Sequence, residues 1–171
     1  MLRAMDIVCK IEALLTRRGA VAYAQGGVSA LAHALQCAQL AEWAHADTTL
    51  VAAALLHDLG HLIDGAADDG LHQHAHESRA LILLGAGGFG PAVLEPIRLH
   101  VAAERCLAGR MNPVERLIFL AQPFAAEALQ LGRWDAMASH AGKRVPPLAY
   151  YLNLLDDVLR PAHQRQRVSL A

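Results

Sequence analysis

The stretch Leu55-Leu56-His57-Asp58-Leu59-Gly60-His61 constrains the fold more than any other. Asp58 closes an apolar helical run, which predicts a semi-buried carboxylate, and such a group is costly unless a cation or donor compensates it. The chain must therefore bring compensating groups to Asp58. Ten histidines in 171 residues make imidazoles the obvious supply. Taken alone, the doublet also reads as a plain helix C-terminus, with a cationic His near the dipole and a capping Asp.

Composition points to helices. The chain is 54% hydrophobic but only 5% aromatic, so its apolar content is mostly Ala and Leu. No stretch alternates with a β period, and no repeat or linker is visible, so we expect one all-α domain over residues 1–171. The predicted helices span 3–18, 29–45, 48–59, 74–84, 91–107, a segment from Pro113, and 148–159, with only a short helical piece around Gly132-Arg133-Trp134-Asp135. Ser29, Asp47 and Asn112 are the expected caps, and Pro91 and Pro113 open their helices. Gly85-Ala86-Gly87-Gly88-Phe89-Gly90 has the letters of a dinucleotide fingerprint. It follows a helix rather than a strand, so it reads as a helix–helix connection.

A formal charge of −1 offers no basic field for nucleic acid or an anionic membrane surface. Despite the positive mean hydropathy, apolar runs break well before the roughly 18 residues of a membrane span. No signal-peptide pattern opens the sequence. Cys9, Cys37 and Cys106 have no paired spacing and read as buried free thiols, which places the protein in the reducing cytoplasm.

His33, His76 and His100 each fall on a different predicted helix from His57. Facing helices of a bundle build metal sites in this way, and imidazole with carboxylate suits Fe, Mn, Zn or Ni. Singly, His33 or His100 reads as a hydrogen-bonded core histidine. With the doublet, they read as ligands. Cys37, one turn from His33, reads as core. His45, His72, His74, His140 and His163 read as surface or loop residues.

These pieces carry a resemblance. Val28-Ser29-Ala30-Leu31-Ala32-His33-Ala34-Leu35-Gln36, the His57-Asp58 stretch, His76-Glu77, Leu94-Glu95-Pro96-Ile97-Arg98-Leu99-His100-Val101-Ala102-Ala103 and Arg133-Trp134-Asp135 together resemble the HD-domain superfamily. The nearer likeness is to its mixed-valent di-iron oxygenases, which cleave carbon–phosphorus bonds of hydroxyphosphonates. The resemblance covers about residues 23–140. It implies a helical bundle with a buried dinuclear centre of two divalent ions, iron above all. Asp58 would bridge them, His33, His57 and Asp135 would complete one site, and His76 and His100 the other. Asp156 and Asp157 rival Asp135 as the last ligand. His61 would line the substrate pocket, and Tyr23 matches a gating tyrosine, although by default it is a packing aromatic.

The departures lie around the substrate. The family's glutamate after the tyrosine is Gly26, and its phosphonate-contacting lysine is Glu104, whose charge would repel an anion unless neutralised. The acid and lysine after Arg-Trp-Asp are Ala136 and Ser139. The resemblance therefore implies an oxygenase-like metal enzyme acting, with O2, on a small hydroxylated molecule. The alternatives are a phosphohydrolase using the same ligands, and a metal-bound domain that senses rather than catalyses.

Overall fold

The computed structural model describes residues 4–20, 27–63, 73–140 and 142–160, without the side chains of residues 4, 5 and 73–77. Its α-helices are α1 (Ala4–Arg18), α2 (Ala30–Trp43), α3 (Thr48–Leu56), α4 (Gly60–Ile63), α5 (Gln73–Ala86), α6 (Pro91–Leu107), α7 (Pro113–Leu120), α8 (Ala125–Met137) and α9 (Leu148–Leu159). Among the described residues there is no β-strand, so the fold is all-α. No described helix is long and apolar enough to cross a membrane.

The bundle is built around α3. Its residues from Leu50 to Leu56 are all buried, as expected of a helix that is apolar on every side. It packs against α2, α6, α8 and α9, while α1 closes the layer over α9. Ile7, Ile11 and Leu15 of α1, Leu55 and Leu56 of α3, and Tyr151 and Leu155 of α9 share this core. A second, smaller cluster joins α6 to α8 through Leu99, Ala103, Phe119 and Ala128.

Several local expectations hold. Ser29 accepts from the Ala32 amide. Asn112 forms a capping box with Glu115. The glycine-rich segment joins α5 to α6, with Gly88 at φ 101°. Gly87 is there for close approach, since a Cβ on it would meet the Ile7 side chain at 2.4 Å. Ile7 is fully buried and has nowhere to move. Gly87→Ala should therefore cost about 1–3 kcal/mol through overpacking, read as a lower urea midpoint at unchanged slope.

Other expectations are corrected. The third helix stops at Leu56 rather than 59, and Asp47 makes no side-chain capping bond. Residues 57–59 form a turn held by amides bonding three residues back, Leu59 to Leu56 and His61 to Asp58, before α4. The short piece around 132–135 is the end of a 13-residue helix, α8. That helix starts after Phe124, a non-glycine residue at φ 65° with no side-chain cap, so the acidic Glu127 in its first turn is its one usual start signal. Cys9 is exposed, while Cys37 and Cys106 are buried.

Candidate metal centre

Four elements deliver the site. The turn after α3 presents His57 and Asp58, α2 presents His33, α6 presents His100 and α8 presents Asp135. All three histidines are buried. In each ring Nδ1 faces a backbone carbonyl: Ala138 at 2.8 Å for His33, Ala54 at 2.9 Å for His57 and Ile97 at 2.7 Å for His100. A carbonyl only accepts, so each Nδ1 carries a proton and donates it. That assigns the tautomer and turns every Nε2 toward the acids.

The Nε2 atoms converge on two carboxylates. His33 lies 2.9 Å from Asp135 Oδ1 and 3.7 Å from Asp58 Oδ2. His57 lies 3.3 Å from Asp58 Oδ2 and 3.5 Å from Asp135 Oδ1. His100 and His61 each lie 3.9 Å from the other Asp58 oxygen, Oδ1. One oxygen of Asp58 therefore faces His33 and His57, and the other faces His100 and His61.

These residues fit a metal ion on their own geometry. His57 Nε2 is buried and lacks a hydrogen-bond partner. A buried nitrogen left this way is costly, and facing carboxylates it takes a positive charge, a proton in the metal-free chain or a metal ion in its place. Nδ1-to-carbonyl bonds are also the usual outer support of metal-bound histidines. Ligand atoms of His33, Cys37, His57 and Asp135 all lie within 4.8 Å of one another.

In the metal-free chain this cluster holds protons. Burial alone would lower the His33 pKa, but its hydrogen bonds to Asp135 and Cys37 outweigh that and push it up to about 10. For His57 burial again opposes, and the negative charge of Asp58 at 3.3 Å, with Asp135 at 3.5 Å, pushes the pKa well up. Asp135 is held far below the usual carboxylate range, against its burial, by its 2.9 Å contact with His33 and by the charge of His57.

Glu104 behaves oppositely. Burial, then a hydrogen bond shared with Asp135 and the charges of Asp135 and Asp58, push it up to about 8. In the metal-free chain at neutral pH it is a neutral acid donating to Asp135, which removes the repulsion its sequence position suggested. Between about 4.5 and 8 the unfolded chain ionises this group and the folded one does not, so stability is lost as pH rises through that window. Metal-free Glu104→Gln should melt higher than the parent at pH 8 and level with it at pH 4.5. A cleft of about 550 Å³ opens beside Glu104 and Asp135, walled by Leu107, Ala108 and Met137, with Arg110 and Arg133 also on its lining.

The remaining expectations sort as follows. His61 is on α4, its side chain 35% exposed, between the acids and the outside. His76 lies in the first turn of α5, but its side chain is outside the described residues. Tyr23, Gly26, His72 and His163 also fall outside them, as does the side chain of His74. Asp157 is exposed and pairs with Arg160 at 2.8 Å. Neither it nor Asp156, both on α9, is among the acids within 4 Å of a site histidine in the described residues. Asp135 is the late acid that the fold brings in. Cys37, one turn from His33 and expected in the core, is buried there with its Sγ 3.5 Å from His33 Nε2. The signal available was its spacing of four from His33, which puts both on one helix face.

Comparison with known proteins places this geometry. The sequence profile of the HD domain matches residues 30–126, which include His33, His57, Asp58, His76 and His100. The chain is 37% identical to hydroxymethylphosphonate dioxygenase of Gimesia maris, over 72% of this chain and 74% of that one. It is 28% identical to uncharacterized protein L432 of Acanthamoeba polyphaga mimivirus, over 75% and 71% of the two chains.

Proposed function

The chain belongs to the HD domain family, and from that premise we propose that it is a dinuclear oxygenase acting on a small hydroxylated substrate, with hydroxyphosphonates the first class to test. The observation that carries the reading is the divided carboxylate of Asp58, one oxygen toward His33 and His57 and the other toward His100 and His61. A carboxylate so placed suits two ions better than one. In this reading His33, His57 and Asp135 would hold one ion and His76 and His100 the other, and Asp58 would serve both.

Two divalent ions, iron in this reading, would supply Lewis acidity toward a substrate oxygen and electrons for oxygen reduction. The chain's own groups do the positioning. Three backbone carbonyls fix the ring planes, so the Nε2 directions are set before any ligand arrives. His61, half-buried with its Nε2 3.9 Å from Asp58 Oδ1, is the imidazole on the outer side of that carboxylate. Glu104 and Asp135 both line the cleft, so a substrate held there would lie against the Glu104 carboxyl. The 37% identical dioxygenase supports oxygen chemistry, and the Glu104 position supports a substrate that differs in its contacts from the family's usual one.

The test is anaerobic purification with metal analysis, then oxygen uptake with hydroxymethylphosphonate, longer hydroxyphosphonates and simple polyols. Two ions per chain and iron-dependent uptake are expected. Fewer than two ions and no uptake with any of these would remove the basis of the reading. Turnover of phosphomonoesters or cyclic nucleotides with Mn or Fe in the absence of oxygen would replace it with a hydrolase.

A further inference from the structure

We propose that Cys37 is a sulfur ligand of the ion held by His33, His57 and Asp135. The inference deepens the metal-centre reading above and rests on it. Cys37 follows His33 by four residues on α2, so the two side chains stand on one face of the helix. Cys37 is fully buried. Its Sγ is 3.5 Å from His33 Nε2, and it belongs to the group of donors lying within 4.8 Å of one another with His57 and Asp135.

A buried thiol is ordinarily a small apolar filler. Two features set this one apart. Its neighbours are the ligand atoms of two histidines and an acid rather than hydrocarbon alone. One of those neighbours, His57 Nε2, is itself buried and without a hydrogen-bond partner, an independent sign that the space between these atoms takes a cation. The spacing also agrees. A sulfur at about 2.3 Å and a nitrogen at about 2.0 Å from one ion stand roughly 3.0–3.7 Å apart at the 90–120° angles of a five-donor site.

On binding, the thiol proton passes to solvent and the sulfur–metal bond replaces the S–H bond, with no change of oxidation state. A thiolate softens the donor set, so this site should select Zn, Co or Fe over Mn. The second ion, held by imidazole and carboxylate alone, would not share that preference.

Cobalt(II) is the probe, added without oxygen to the metal-free full chain carrying Cys9→Ser and Cys106→Ser, which leaves Cys37 as its only thiol. The expected result is visible ligand-field bands together with an intense near-ultraviolet sulfur-to-cobalt charge-transfer band. Adding Cys37→Ser should abolish the charge-transfer band while the ligand-field bands persist. X-ray absorption of the unsubstituted chain loaded with cobalt should show a sulfur shell near about 2.3 Å, and this needs no variant to fold. Ligand-field bands with neither a charge-transfer band nor a sulfur shell would overturn the sulfur ligand and leave the metal centre standing. No cobalt binding at all would overturn both.

Discussion

On the proposed dinuclear reading, replacing Asp58 by Ala should reduce metal content from two ions per chain to one at most and lower turnover by more than about 10³-fold, some 4 kcal/mol of barrier. The size follows from the position of the carboxylate. Its Oδ2 is the acid oxygen nearest His57 Nε2, at 3.3 Å, and its Oδ1 is the one facing His100 and His61. No other acid among the described residues lies within 4 Å of both His57 and His100. Removing Asp58 therefore strips both halves of the site at once, and it leaves three imidazole nitrogens facing one another with half their counter-charge gone. Asp58→Asn keeps the shape and removes the charge, so it separates steric from electrostatic loss. Asp156→Ala, on α9, should bind metal and turn over like the parent. Metal analysis, oxygen uptake and thermal melts on the three variants give the answer. Two retained ions and near-parental turnover in Asp58→Ala would end the bridging assignment.

The fold was legible where pattern and capping agreed. The helical periodicity of α1, the Ser29 cap of α2 and the Pro91 start of α6 all lie close to the expected positions. It was illegible where tertiary contacts set the local structure. α8 is rich in strong helix formers from Ala125 to Leu131, but it begins at a left-handed Phe124 with no capping side chain and carries Gly132 in its interior, so its extent over 13 residues is not marked by its ends. Packing against α6 supplies what local sequence does not. The turn at 57–59 was hidden for a related reason. Leu59 follows Leu55 at helical spacing across His57 and Asp58, and the early end at Leu56 shows only in the bonding of the amides that follow. At the site, residue types and helix assignment identified His33, His57, Asp58 and His100 as a group. Neither the split of the Asp58 oxygens nor the neutral state of Glu104 could be read from sequence, since both depend on distances set by several helices.

Stability should respond to pH in opposite senses with and without metal. In the metal-free chain the His33 pKa is pushed up to about 10, so its pairing stabilises the fold fully below the unfolded value of 6.5 and is lost as pH rises through about 10. Asp135 is held down, so its share is present above the unfolded value of 3.8 and is lost as pH falls toward its depressed pKa. Together the pair stabilises the metal-free protein best between about 4 and 6.5, and its contribution declines toward alkaline pH. Metal ions take the Nε2 positions that those protons occupy, so binding must release protons from His33 and His57 and tightens as pH rises. Two displaced protons make the apparent affinity change by as much as about 100-fold per pH unit. At an ion concentration near 100 times the dissociation constant, binding contributes about 2.7 kcal/mol. For a chain of this size that is roughly 5–10 °C in melting temperature. Melts in EDTA and in Fe(II) or Mn(II) should thus nearly coincide at pH 5.5 and separate by that amount at pH 8. Equal separation at both pH values would mean that the ion binds without displacing protons from these histidines. The ligand set would then have to be sought elsewhere on the chain, because no metal can occupy Nε2 of His33 while the proton shared with Asp135 remains there.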